Sequence, residues 1–222
     1  MISNFYSNTL YDFTKNHLSE KTIKGIIKQI ITAVGFLHSK KYIHRDIKPD
    51  NILLDSKGTI KLTDFDLARL LPESNDKPLT RNVVTLYYRA PEIFFGDVHY
   101  GKGVDIWSIG CVFGEFFIDE PIFKGACELA TLSKIIEMCG NPNEENWPGV
   151  EKLPNYLPYG EMKPKLRNEF EGKISKEGVD VLEMMLSLDP KKRPSCEELL
   201  NMSYFKENVA SKEEIATELN LK

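Results

Sequence analysis

Asp46, Lys48 and Asn51 sit close together in the stretch YIHRDIKPDNILLD, residues 42–55. A carboxylate, an ammonium group and an amide at this spacing form a set suited to moving a phosphoryl group. One orients a hydroxyl, one offsets phosphate charge and one holds a metal ion. Such a transfer asks little covalent work of the protein, which has to position the reactants and neutralise charge on phosphate oxygens. Singly, each residue has an ordinary reading, because an Asp before a strand is usually solvated and a Lys usually decorates a surface. The joint spacing carries the signal.

These residues need a scaffold, and the composition supports one. The 222 residues are 41% apolar and 28% charged, as expected of one soluble domain or one large lobe with a buried core. A net charge of −4 and a pI near 5.7 give no whole-chain attraction to polyanions, so neither nucleic acid nor membrane is expected as a partner. Cys111, Cys127, Cys139 and Cys196 lack CxxC spacing, which favours reduced thiols over disulfides or zinc. The opening MISNFYSNTLYDF has no basic start before an apolar run, so a soluble intracellular protein, nuclear or cytoplasmic, is expected.

Immediately before the Asp46 loop, Ser19 is a helix N-cap candidate. Ile23, Ile26, Ile27, Ile30, Val34 and Leu37 then recur at helical spacing, and the helix should end near residues 38–41. After the loop, residues 52–54 and 59–63 read as two strands joined by a turn at 55–58, an arrangement that brings Asn51 and Asp64 to neighbouring ends. Residues 72–78, PESNDKP, read as an exposed loop. Residues 103–123 are apolar almost all round, as in a helix buried in a core, and too interrupted by charge to cross a bilayer. Residues 140–159 read as an irregular insertion, placed within a broader span of about 140–175. A helix is expected over 178–188, and 206–222 read as a charged tail. Gly101 and Gly103 lack the third glycine and the preceding strand of a phosphate-binding loop, so YGKGVD is a connector.

HRDIKPDN, DFDLAR, LTRNVVTLYYRAPE and KKRPS together resemble motifs of the protein kinases, and more narrowly of the cyclin-dependent kinases, including the cell-division and kinase-activating types. The resemblance runs from about the hinge to residue 205 and covers the large lobe only. It implies an α+β, mainly helical fold: a kinase-like large lobe with a small β-hairpin beside the catalytic loop. The small β-rich lobe is absent, with its glycine-rich loop, strand Lys and paired helix Glu. A partial kinase domain over 1–205 is thus expected, followed by the tail.

The resemblance also implies roles. Asp46 would accept or orient the substrate hydroxyl, Lys48 would meet the transferring phosphate, and Asn51 and Asp64 would hold Mg2+. Leu53 would lie under the adenine of ATP, with Asp50 counted in the cofactor region. Thr85 would bond near Asp46 and Lys48. Thr80 falls at the position that an upstream activating kinase phosphorylates, and Arg45 and Arg69 would receive that phosphate after facing each other uncompensated. Val84 and Arg89 would shape a pocket favouring proline after the target residue, pointing to Ser/Thr-Pro substrates. Glu92 should pair with Arg193, and Asp105 should brace the loop backbone. A cyclin-type subunit is the implied partner, weakened by loss of the helix it mainly contacts. Asp66 departs from the family by replacing a glycine, where a backbone cost is expected. Two readings stay open: an ATP-dependent proline-directed serine/threonine kinase acting in cell-cycle or transcription control, or a catalytically incompetent lobe that binds partners.

Overall fold

The computed structural model describes residues 8–72, 78–79, 85–158, 160 and 162–221. Strand β1 (Asn8–Thr9) and a short 3-10 turn lead into helix α1 (Glu20–Ser39), and β2 (Tyr42–Ile43) follows at once. Ser19 caps α1 through its side chain, which accepts from the Thr22 amide. Ile23, Ile26, Ile27, Ile30 and Val34 on its stripe are fully buried. At about 1.5 to 3 kcal/mol for each such side chain, this face anchors the element that delivers the Asp46 loop.

The loop enters a hairpin of β3 (Ile52–Leu54) and β4 (Ile60–Leu62), in the register Ile52↔Leu62, Leu53↔Lys61 and Leu54↔Ile60. β1 pairs with the other edge of β3, giving the antiparallel sheet order β1-β3-β4. The turn between β3 and β4 is closed by Asp55, whose side chain accepts from the Lys57 and Thr59 amides, with Gly58 at φ 74°. Beyond the hairpin, β5 (Arg69–Leu70) returns to pair with β2, so the residues between them form a loop tied down at both ends.

α2 (Pro91–Phe94) precedes α3 (Gly103–Ile118), the central helix, in which every residue from Val104 to Phe116 is buried. The apolar run predicts a helix reaching residue 123, but α3 stops five residues earlier. Asp119 takes the left-handed conformation at φ 59° and Pro121 follows, a combination that ends helices. α4 (Glu128–Cys139) packs Thr131, Leu132, Ile135 and Ile136 inward and was not legible as a separate helix. Within the expected insertion, residues 141–158 are largely irregular, yet α5 (Leu166–Phe170) interrupts the broader span. α6 (Lys176–Met185), capped by Ser175, begins two residues before the expected start.

α7 (Cys196–Asn201), α8 (Ser203–Lys206) and α9 (Lys212–Glu218) complete the fold. The charged segment expected over 206–222 folds back on the lobe in its described part, residues 206–221. α9 lies on α1 with Ile215 and Leu219 buried, while the Glu218 carboxylate accepts from the Ser19 amide and from the Ser19 and Thr22 hydroxyls. Two apolar residues at spacing i, i+4 among charges were enough to seat it. Among the described residues no helix is long and apolar enough to cross a membrane.

Candidate active site

The loop between β2 and β3 owes its shape to α3. The Asp105 carboxylate, fully buried, accepts from the His44 amide at 2.9 Å and the Arg45 amide at 2.9 Å, and it contacts Nε2 of His38 at 2.8 Å. These bonds hold Arg45 at φ 70°, a backbone state that costs about 1 to 3 kcal/mol and persists only where its surroundings over-determine it. A second buried charge pair ties distant segments. Arg193 grips Glu92 through two bonds of 2.7 Å, both side chains being inaccessible, and also donates to the Ser187, Leu188 and Gly103 carbonyls. Asp105 and Glu92 thus stand where the kinase resemblance implied.

On this frame Asp46, Lys48, Asn51 and Thr85 converge. Asn51 Nδ2 donates to the Asp46 carbonyl at 2.9 Å and to Asp46 Oδ2 at 2.8 Å, and Lys48 Nζ lies 2.9 Å from the same oxygen. Lys48 also donates to Thr85 Oγ1 at 2.9 Å. The Thr85 amide and hydroxyl each reach Asp46 Oδ1 at 3.3 Å, a length at which such bonds are weak. Oδ2 thus takes two short contacts, and Oδ1 takes only the two long ones.

The other side of the site is open. The Thr63 amide donates to the Asn51 carbonyl at 3.0 Å, which brings Asp64 beside Asn51 as the hairpin reading required. Asp64 is exposed at φ 59°, and no hydrogen bond or ion pair holds its carboxylate among the described residues. Phe65 is 47% exposed and meets the His44 ring at a centroid distance of 5.0 Å. The backbone cost expected at Asp66 does not arise there: the positive φ belongs to Asp64, and Asp66 lies in a turn closed by the Ala68 amide on the Phe65 carbonyl. Leu53 is half-buried in β3, while Asp50 is exposed and makes no polar contact among the described residues. One carboxylate and one amide oxygen are hard donors of the kind magnesium takes when substrate phosphates complete its shell, so Asp64 and Asn51 fit that ion.

The arginines differ from expectation. Arg45 is buried rather than facing Arg69 across open space: its Nε donates to the Leu67 carbonyl at 2.6 Å and its Nη1 to the Tyr100 hydroxyl at 2.8 Å. These acceptors are neutral, so the charge is solvated by dipoles without being cancelled. Arg69 is exposed and donates to the Ala68 carbonyl. Thr80 and Val84 lie outside the described residues, as does most of the 72–78 loop. Arg89 meets Glu128 of α4 at 2.5 Å and stacks over the Phe94 ring at 5.2 Å. Sequence reading missed Tyr100, His38 and Glu128, none of which belongs to a motif it used. It also missed the Tyr88 hydroxyl on Glu115 at 2.7 Å, a buried pair in which desolvation pushes the Glu115 carboxyl up to about 7.

A family model described as "Protein kinase domain" matches residues 1–205. The chain is 42% identical over 186 residues to Cyclin-dependent kinase C-1 of Oryza sativa subsp. japonica, covering 82% of this chain and 36% of that one. It is 38% identical over 203 residues to Cyclin-dependent kinase 12 of Caenorhabditis elegans, covering 90% of this chain and 27% of the other. The match thus spans well under two thirds of the length of these relatives. Among solved structures, the CAK complex from Chaetomium thermophilum bound to ATP-gamma-S contains a chain similar at a TM-score of 0.89 and 35% identity, with 95% of this chain and 69% of that one covered.

Proposed function

The chain belongs to the protein kinases, of the cyclin-dependent type, and from that premise we propose that it supplies the large lobe of an ATP-dependent, proline-directed serine/threonine kinase. The observation that carries the reading is Asp46 held between Asn51, Lys48 and Thr85, with Oδ1 taking only the two 3.3 Å Thr85 contacts. A substrate hydroxyl donating to Oδ1 would replace the long Thr85 contacts, which orients its lone pair toward the phosphate. Lys48, 2.9 Å from the carboxylate, stands ready to meet charge on the transferred group. Asn51 and Asp64 would hold magnesium, which when bound neutralises phosphate oxygens, and Leu53 with Asp50 would border the nucleotide. Thr80 is the proposed phosphorylation site for an upstream kinase, with Arg45 and Arg69 as its receivers. Val84 and Arg89 are the proposed proline pocket, and a cyclin-type subunit is the proposed partner in cell-cycle or transcription control.

A second reading, a lobe that binds without turnover, draws on one observation: the Asp64 and Phe65 side is unsupported. Phosphate transfer from MgATP to paired Ser-Pro and Ser-Ala peptides, with a cyclin-type subunit present, separates the two. The kinase reading expects transfer to the Ser-Pro peptide, a weak signal on Ser-Ala, and near-complete loss in Asp46→Asn. Peptide binding with no transfer would instead establish the binding lobe.

A further inference from the structure

Behind the catalytic loop lies a cavity of about 720 Å³, walled by the second half of α1, the start of α3 and the segment from Pro190 to Asn201. That volume is in the range of small-molecule sites. Asp46, Lys48, Asn51 and Asp64 do not line it, so it is distinct from the site above. Two of its lining side chains, Cys196 and His38, lead to Asp105 behind the wall. Cys196 Sγ lies 3.8 Å from Nδ1 of His38, and Nε2 of His38 lies 2.8 Å from Asp105. Facing a carboxylate, Nε2 donates, and Nδ1 is left to accept from the thiol. The same Asp105 holds the His44 and Arg45 amides. An occupant that shifts His38 therefore reaches the catalytic-loop backbone through one carboxylate.

We propose that this cavity is a regulatory site for a small amphipathic monocarboxylate, its apolar body against Gly35, Ile106 and Leu200 and its charge on Lys102. Charge selects the head group. Arg193 also lines the cavity but is taken up by Glu92, whereas Lys102 is exposed and its ammonium makes no hydrogen bond or ion pair among the described residues. Glu197 and Glu198 line the cavity too, Glu198 within the capping box of α7, and their carboxylates disfavour a dianion such as phosphate more than a monoanion. Binding is non-covalent: burial pushes the Cys196 thiol up to about 12, aided by Asp105 and opposed by Lys102, so a reactive thiolate does not form.

The test is a titration of the isotope-labelled 222-residue chain with naphthoate and, separately, with neutral naphthamide, read on backbone amides by NMR. Saturable shifts are expected at Gly35, Gly103 and Cys196, accompanied by His44 and Arg45. Lys102→Gln should weaken naphthoate about twofold to fivefold, as for one partly exposed ion pair, and leave naphthamide unchanged. Thr32→Trp, at an exposed α1 position on the cavity mouth, should abolish both. Shifts centred elsewhere, no saturation, equal naphthoate affinity in Lys102→Gln, or cavity shifts without movement at His44 and Arg45 would each overturn the proposal. The readout needs neither nucleotide nor turnover, so its failure would leave the kinase reading intact.

Discussion

Asp46, Lys48, Asn51 and Thr85 are tied to one another, whereas around Asp64 the chain leaves a carboxylate and an aromatic ring exposed. The first region is built on buried charge: Asp105 behind the loop, Arg193 on Glu92, and Tyr88 on Glu115. The second rests on a hairpin end and one ring contact. On the proposed reading, the lobe would organise the hydroxyl-handling half of the site by itself and leave the metal-handling half to be ordered by what binds there. A side chain whose partner is a phosphate–metal assembly gains nothing from a protein partner competing for the same lone pairs.

This contrast predicts a graded series of effects. The largest belongs to Glu92→Gln, which leaves the buried Arg193 charge unpaired and should cost about 3 to 5 kcal/mol in urea unfolding. A loss within experimental error would mean the braced half is not braced by charge.

Next comes a pH effect at Glu115. Its folded pKa, raised by burial to about 7, lies above its ordinary value of 4.5. The stability linked to it is therefore full below about 4.5 and is lost as pH rises through about 7, a fall of up to about 3 kcal/mol. Glu115→Gln should flatten that slope, and an unchanged slope in the variant would assign the titration to another group. Asp105→Asn should cost about 1 to 3 kcal/mol, because the neutral amide accepts less well from the two loop amides and presents a donor where an acceptor is needed. Faster hydrogen exchange at His44 and Arg45 should accompany it, and unchanged exchange would remove Asp105 from its bracing role.

The smallest effect should be that of Asp64→Asn. With no partner to lose, its unfolding free energy should stay within about 0.5 kcal/mol of the parent, while Mg2+-dependent nucleotide binding, measured calorimetrically, should weaken. A large stability loss would show that the open half is structurally engaged after all.

Local chemistry made much of this readable in advance. The isoleucine stripe after Ser19 had one way to be buried, and the turn at 55–58 fixed a hairpin that set Asp64 beside Asn51. The kinase resemblance likewise implied the meeting of Thr85 with Asp46 and Lys48. What the chain order could not express were contacts between segments with no shared pattern. Arg45 had its motif, but only the packing of Tyr100 and Leu67 against it decided that its guanidinium would be buried on neutral acceptors. Asp66 raised a backbone question that the strand geometry answered by moving the positive φ to Asp64. The charged ending became a packed helix because α1 offered a surface for Ile215 and Leu219, and burial depends on what lies opposite, which no local spacing records. Sequence by itself determined the candidate groups and their order. Tertiary structure decided which of them are held and which are left free, since a hydrogen bond or a buried charge is a property of pairs.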